Sequence, residues 1–523
     1  MEFNLADLFQ AVADHVPHRE ALVAGPVRLT FAQLDKRANR AAHVLSDLGL
    51  SAGDHVGLAL RNGNEMVELM LGAFNVGVVP INVNYHYTAD ELRYLFCDAQ
   101  LDLIVHEPDL ADRVDDARAS MTHPPAVLER GTQYELALAT RSDERPTMSR
   151  TGDAPYILYT GGTTGMPKGV IWRHEDIFFA AMGGGSRTGT PIDQPEDIVA
   201  QLPLGSTVSL PASPLMHGTA QWSTFSTLFA GGTVILSTDR AMEAHQLWGL
   251  VERERVSHLV LVGDAFALPL VEALESQPHR WHLDGVTVIL NGGAILSPSV
   301  RHALLRHLPG AIVVDGYGTS ETGGQGRMIV SPGQHSTGPP CFQMNNSTAL
   351  LDELHRPLSA GSTDMGRLAK RGRIPLGYFG DPDRTSRTFP TVDGERWAIT
   401  GDMGRITGTG EIMLLGRVDG SINSGGEKIY PEEVEATLKA HPLVFDAVVV
   451  GVPDGRFGER VAAVVAPRER AEPTLEELTT HCRTLIAGFK IPRQVVLVDR
   501  IRRFPTGKPD YQWARQRAES PNG

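Results

Sequence analysis

The stretch YILYTGGTTGMPKGV, residues 156–170, places four glycines, three threonines and one lysine behind an apolar run. Glycines let a backbone turn its N–H groups toward an anion, and threonine hydroxyls add further donors. Lys168 adds a positive charge, so the loop suits a polyphosphate. It is not the nucleotide-kinase P-loop, because Gly162, Gly165, Lys168 and Gly169 do not fit GxxxxGK[ST]. Pro167 and the following GVIW favour extended chain over an immediate helix. Alone, such a loop reads equally well as a flexible hairpin with a surface lysine. Other residues could do chemistry with a bound phosphate. Tyr317 in DGYGTSETGG can stack on a base, and Glu321 is a hard oxygen ligand. Asp402 in ITGDMG offers two acceptor oxygens to a pair of hydroxyls, and Lys508 stands in a PTGK turn near the chain end. GTSET is not a hydrolase elbow, since GxSxG requires glycine where Thr322 stands.

These residues need elements to position them. Thr30 with Gln33 forms a capping-box pattern, and Phe31, Leu34, Ala38, Ala41 and Leu45 then fall on one helical face up to Gly49. HVGLAL reads as a strand, NEMVELMLGAFNVG as a helix and VVPINV as a strand. Thr88 with Glu91 opens another helix, and LDLIVHE follows as a strand. The alternation returns at HQLWGLVERERV, SHLVLVG, VTVILNGG and AIVVDGYG, which argues for parallel sheets covered on both faces. Three segments break the rhythm: a polar connector at 140–153, a mobile surface loop at 183–197, and a disordered tail, RAESPNG. Beyond LLGRVDG the pattern changes to a compact α+β unit with helices at YPEEVEATLKAH and LEELTTHCRTLI. Its strands are DAVVVGV, RVAAVVAP and RQVVLVD. The expectation is an α/β protein of two domains. Residues 1–418 form a large domain of doubly covered sheets, and 419–523 form a small, mobile C-terminal domain.

Composition narrows the function classes. The 523 residues are 41% hydrophobic and 21% charged, ordinary for a globular protein, with a formal net charge of -14. That balance argues against a nucleic acid or an anionic membrane as main partner. Cys97, Cys341 and Cys482 are far apart, and neither CxxC nor HExxH occurs, which speaks against a zinc site or disulfide frame. The N-terminal MEFNLADLFQAVADHV reads as an amphipathic helix rather than a signal peptide, and no apolar run is long enough to span a bilayer. A cytoplasmic protein is expected.

The phosphate loop does not stand alone. It resembles that of the adenylate-forming superfamily, which comprises acyl-CoA synthetases, peptide-synthetase adenylation domains and luciferases. SPLMHG (213–218), NGGAIL (291–296), DGYGTSETGG (315–324), ITGDMG (399–404), GRVDGSINSGGEKIYPEEVE (416–435) and PTGK (505–508) follow in the family's order. GGTTGMPKGVIWRHEDIFFAAMGGG looks most like actinobacterial fatty-acid or steroid-side-chain acyl-CoA synthetases. The resemblance implies attack of a carboxylate on ATP to give an acyl-adenylate, then displacement of AMP by the thiol of coenzyme A. It assigns the nucleotide to Thr160, Gly161, Gly162, Thr163, Thr164, Gly165 and Lys168, to Gly292, Gly293 and Ala294, to Asp315, Gly316, Tyr317, Gly318 and Ser320, and to the ribose pair Asp402 and Arg417. Glu321, with Thr164, would hold Mg²⁺. Lys508 would bridge the substrate carboxylate and the α-phosphate, and His217 would act at the acid. Asp419 would be the hinge between two half-reactions, and Ser424, Gly425, Gly426 and Lys428 would then face the thiol. The acid pocket would draw on His217, Trp222, Gly183 and Gly184. Two positions depart from the family: Gly161 stands where many relatives carry Ser or Thr, and Ser320 where threonine is commoner.

The partners implied are a small carboxylic acid, ATP, Mg²⁺ and CoA, with a medium or long, or bulky apolar, acid leading. Another acid or acceptor stays open: an amine, a separate carrier protein, or nitrite as in the superfamily's diazotases. So do a non-catalytic nucleotide-binding relative and association into a homodimer.

Overall fold

The computed structural model describes every residue except 163–164, 185–191, 205–206, 335–339, 418–419, 425–426, 470, 505–506 and 521–523. The Thr30 and Thr88 capping boxes are both formed, opening the helices Phe31–Asp47 and Ala89–Asp98. Gly49 follows the first of these at φ +91°, where a side chain would be strained. Fully buried strands His55–Ala59, Val79–Asn82 and Leu103–His106 pair in parallel and, with Ala126–Glu129, make a four-stranded sheet. Their burial on both faces is why they read as continuous apolar runs.

The largest sheet has two halves. His258–Leu261, Val288–Asn291 and Ile312–Thr319 run parallel, as the alternation predicts. From Gly323 onward the sheet turns antiparallel, through Gly323–Val330, Cys341–Met344, Ile412–Arg417, Glu395–Ile406, Gly366–Arg371 and Thr348–Leu351. Doubly covered parallel sheets therefore describe only the first part of the large region. The antiparallel strands have mixed faces and no helices between most of them, so strand–helix rhythm does not register them.

The segments that break the rhythm are less loose than expected. The connector is pinned by arginines: Arg145 bonds Asp14 and Asp35, and Arg150 bonds Asp7. In the expected surface loop, Ile192 is buried and Pro195 already begins a 3₁₀ stretch. The tail's first residues continue the helix Tyr511–Glu519, with Ala518 buried against the small sheet.

Ile412–Arg417 is the last strand of the large sheet, and Ile422–Ser424 belongs to a separate five-stranded sheet. In that sheet Val444–Asp454 and Gly458–Pro467 form a long hairpin, flanked by the helices Pro431–Lys439 and Leu475–Arg483 on one apolar face and Tyr511–Glu519 on the other.

Candidate active site

The GGTTG loop is the tip of a β-hairpin. Pro155–Gly162 pairs antiparallel with Gly165–Arg173, with Thr160 opposite Lys168 and Gly162 opposite Gly165. Extended chain after Pro167 is thus what the structure contains, and Lys168 is fixed by a strand rather than left on a free loop. Thr163 and Thr164, at the tip, lie outside the described residues.

Lys168 does not point to open solvent. Its Nζ lies 4.4 Å from the Tyr378 ring centroid, donates to the Tyr378 hydroxyl at 3.2 Å and sits 3.5 Å from Glu321 Oε1. The same hydroxyl donates to Glu321 Oε1 at 2.8 Å. Burial and the neighbouring carboxylate push the phenol's pKa up, so the proton stays on Tyr378 and the bond to Glu321 is kept. The hairpin lysine and the DGYGTSETGG carboxylate, 153 residues apart by subtraction (321 − 168), thus meet through one tyrosine. No motif marked Tyr378; a tyrosine on a two-residue strand carries no spacing signal.

Around Glu321 the turn is held from both sides. Trp172 Nε1 donates to the Ser320 carbonyl at 3.0 Å. Lys370, 3% exposed, donates to the Thr322 and Gly324 carbonyls at 2.7 and 2.9 Å. Burial lowers the Lys370 pKa to about 8. A Cβ on Gly318 would fall 2.1 Å from the Gly323 carbonyl, so this hairpin closes only with glycine there. Lys370 is a second residue the sequence reading missed, since a lysine in a strand ordinarily reads as solvated.

Tyr317 stands on Ile312–Thr319 opposite Gly326, its ring 5.7 Å from Phe342. Gly292, Gly293 and Ala294 follow the neighbouring strand, and a Cβ on Gly292 would meet nothing nearer than the Gly316 carbonyl at 3.8 Å and the Thr219 methyl at 4.0 Å. The backbone at Gly292 is therefore open to the approach of a flat ring. Asp315 is different. Its carboxyl is buried, accepts from Asn291 at 2.7 Å and faces Arg301 at 3.4 Å. Burial raises its pKa to about 6. The side chain braces the two strands rather than facing the space beside Gly292.

Asp402 and Arg417 are backbone partners in adjacent antiparallel strands, and Thr400 Oγ1 donates to Asp402 at 2.8 Å. Two residues 15 apart by subtraction (417 − 402) are thus side by side, as two groups gripping one sugar need to be.

His217 caps the helix Gly218–Phe229, and Asn82 ties the preceding Met216 carbonyl to that of Tyr159. Its Nε2 is buried and has no hydrogen-bond partner among the described residues. Burial, then the positive charges of Lys508 and His86, lower its pKa to about 4, so the imidazole is neutral near pH 7. The C-terminal lysine is therefore near enough for its charge to be felt at the large domain's histidine. His86, in NYHYT, is a further neighbour that sequence reading passed over. Gly183 and Gly184 end the Ala181 helix segment, and a Cβ on Gly183 would come 2.6 Å from Ser226 Oγ, one turn beyond the half-buried Trp222. His217, Trp222 and Gly183 thus lie at or on one helix, Gly218–Phe229, whereas Gly184 packs on Phe178.

The hairpin Arg502–Asp510 carries Lys508. Phe504 N–H donates to the Lys508 carbonyl and Gly507 N–H to the Phe504 carbonyl, at 2.9 and 2.8 Å. Ser424 and Lys428 are on the edge hairpin Ile422–Ser424/Glu427–Ile429, whose outward bonds reach Gly458 and Glu459 of the same small domain. Lys508, and not the Ser424 hairpin, is thus the small-domain group whose charge reaches His217. Asp419, Gly425 and Gly426 lie outside the described residues.

Residues 9–379 match the AMP-binding enzyme model and 433–508 the AMP-binding enzyme C-terminal domain model. The chain belongs to the AMP-binding enzyme family. Among relatives, a medium/long-chain-fatty-acid–CoA/3-oxocholest-4-en-26-oate–CoA ligase of Mycolicibacterium smegmatis is 44% identical over 536 aligned residues, 99% of this chain and 97% of that one. A 3-oxocholest-4-en-26-oate–CoA ligase of Rhodococcus rhodochrous is 43% identical, over 98% and 96% of the two chains. Among solved structures, ATP-bound MatB from Rhodopseudomonas palustris superimposes with a TM-score of 0.84 at 25% identity, over 100% of this chain and 99% of that one.

Proposed function

We propose that this AMP-binding enzyme is an acid–thiol ligase. It joins a carboxylic acid to coenzyme A with conversion of ATP to AMP and pyrophosphate. The observation that carries the reading is the seating of the small domain's Lys508 turn on the large domain, with Gly507 against Ala265 and the Val262 carbonyl and the Lys508 charge felt by buried His217; a cation there suits the meeting of an acid and a phosphate.

A carboxylate oxygen attacks the α-phosphorus, the bond to the pyrophosphate oxygen breaks, and an acyl-adenylate forms. Two anions converge in that step, and Lys508 neutralises their repulsion. His217, uncharged, orients the carboxylate through its buried Nε2 without competing as a second cation. Lys168 holds the outer phosphates, Tyr317 stacks on adenine beside the open Gly292 backbone, and Asp402 accepts from the ribose hydroxyls. The CoA sulfur then attacks the acyl carbon, and the bond from that carbon to the AMP oxygen breaks.

Glu321 fits a Mg²⁺ that takes most of its ligands from ATP. It is one carboxylate beside the phosphate lysine, and no cluster of three or more ligating side chains occurs among the described residues. When bound, the ion supplies neutralisation of phosphate charge. Glu321 would hold it, with Tyr378 orienting the carboxylate.

The preferred acid is a medium- or long-chain fatty acid or a steroid side-chain acid, on the strength of the two CoA ligases at 44% and 43% identity. Residues 1–418 are the adenylating domain and 419–523 the mobile one, with Asp419 as hinge. A cytoplasmic reaction belongs to the proposal because its cosubstrates are ATP and CoA; no helix among the described residues is long and apolar enough to cross a membrane. The test is a panel of C8–C18 fatty acids and steroid-side-chain acids with ATP, Mg²⁺ and CoA, read by mass spectrometry. Acyl-CoA with stoichiometric AMP is expected. Adenylation without thioester, or amide from an added amine only, would overturn the CoA acceptor.

A further inference from the structure

The small domain meets the large one through a buried run of alternating charge. Asp264, 2% exposed, lies in the first turn of the helix Gly263–Ser276 of the large domain. Its Oδ1 accepts from the Ser297 N–H at 2.7 Å, just beyond NGGAIL, and its own N–H donates to the Ile295 carbonyl. Its Oδ2 faces Lys439 Nζ of the small domain at 3.4 Å. Lys439, 7% exposed, is also 3.2 Å from Asp446, which is 5% exposed. Arg503 grips Asp446 with Nη2 at 2.8 Å and with Nε at 3.2 Å. Arg503 Nη1 then donates to the Gly507 carbonyl at 3.0 Å, one residue before Lys508. Gly507 itself, at φ +80°, is seated on the same large-domain helix start. A Cβ there would be 3.1 Å from both Ala265 Cβ and the Val262 carbonyl.

We propose that Asp264, Lys439, Asp446 and Arg503 are positioning residues that pin the Lys508 turn over the acid site for the ATP-consuming half-reaction. The link between Asp264 and Lys439 is the one that opens for the thiol step. The inference rests on the acid–thiol ligase reading and adds to it the device that sets the pose.

The geometry suits a link that holds and releases. Of the buried ion pairs in the run, only Asp264–Lys439 crosses the domains. Breaking a buried pair is costly when it strands a charge. Here neither side is stranded: Lys439 keeps Asp446, and Asp264 keeps the Ser297 amide and gains water. Asp446 and Arg503 stay together on the small domain in both poses, so the lysine turn travels as a formed unit. Next to the relay the domains do not close. A cleft of about 340 Å³ separates the helices bearing Val271 and Ala303 from Phe445 and Arg468. The relay and the Gly507 seat are thus the contacts that hold the lysine end of the small domain, while its other end packs through Tyr430 and Glu432 on Gly416.

The test uses the full-length enzyme and two variants. Asp264→Asn removes the charge but keeps an acceptor for the Ser297 N–H, and Lys439→Met removes the cation but fills its space. Single-turnover pyrophosphate release from dodecanoate and ATP reports the first half-reaction. Thioester formation from synthetic dodecanoyl-adenylate and CoA reports the second. Both variants are expected to slow the first at least about tenfold and to leave the second within about twofold. Equal loss of both half-reactions, or loss of neither, overturns the relay. A substrate-free readout runs beside it: energy transfer between dyes on the exposed residues Leu354 and Leu485 is expected to shift in Asp264→Asn. An unchanged distance distribution overturns the pin. If the unmodified enzyme releases no pyrophosphate with any acid, the ligase reading fails, and the dye distances still decide the pin.

Discussion

The nucleotide half of the cleft and the lysine that completes it are built by different means. On the nucleotide side, Lys168, Tyr378, Glu321, Tyr317 and Asp402 all stand on or beside strands of one domain, and their spacing is set by backbone pairing. Buried Lys370 and Trp172 brace the turn that carries Glu321. Lys508 arrives on a short turn of the small domain outside its sheet, held by ion pairs and a glycine seat. Strand pairing is cooperative and does not come apart during a catalytic cycle, whereas a cross-domain pair whose partners keep other counterions can. The difference bears on which part of the proposed reaction each half would serve. In that proposal the preformed side binds what is present throughout, and the delivered lysine serves one step.

The sharpest way to break this comparison is Lys508→Ala. Adenylation is expected to fall by about 10²–10³-fold, as for loss of one positioned charge stabiliser, while thioester formation from supplied acyl-adenylate persists. Equal loss of both steps would mean that the lysine belongs to the permanent site. Next in size is Asp402→Ala on the preformed side. Loss of a charged acceptor for the ribose should weaken nucleotide binding by about 1.5–3 kcal/mol, read by calorimetry, in both half-reactions alike.

Lys370→Met sharpens the preformed side further. It leaves the Thr322 and Gly324 carbonyls without their buried donor, at a cost of about 1–3 kcal/mol in stability. It should raise KM for ATP more than it lowers kcat, because Lys370 supports the Glu321 turn and touches no reacting atom.

The smallest effect separates the acid pocket from both halves. The His217 pKa falls from 6.5 to about 4 in the folded state, so the unfolded chain binds more protons between those values. His217 therefore contributes stability that is present above pH 6.5 and is lost as pH falls toward 4. His217→Asn should flatten the urea midpoint across that window, by on the order of 1–3 kcal/mol at most, and leave it unchanged above pH 7.5.

Much of the site was legible because the chemistry restricts residue types locally. The GGTTG hairpin, the Tyr317–Glu321 stretch and the PTGK hairpin are short, and each is fixed by glycines or caps within a few residues; the TGD stretch reads as a turn, but Asp402 stands within the strand Glu395–Ile406. Helix starts at Thr30 and Thr88 were legible for the same reason. The antiparallel strands after Gly323 were not, since their periodicity is weak and their partners are far along the chain. Ala518 shows the limit at the chain end: a polar-looking tail is helical because the small sheet offers its outer face an apolar seat.

The sequence by itself determined that a polyphosphate loop, an adenine turn, a ribose carboxylate and a late lysine occur in one order on an α/β chain. Those features depend on neighbours within about ten residues. Only the tertiary structure decided that Tyr378 joins Lys168 to Glu321, that Lys370 is buried beneath the Glu321 turn, and that Asp264 meets Lys439 from the other domain. A tyrosine, a lysine and an aspartate carry no local signature of such roles. Their meaning comes from which partners folding brings within hydrogen-bond reach and from how much water it removes around them.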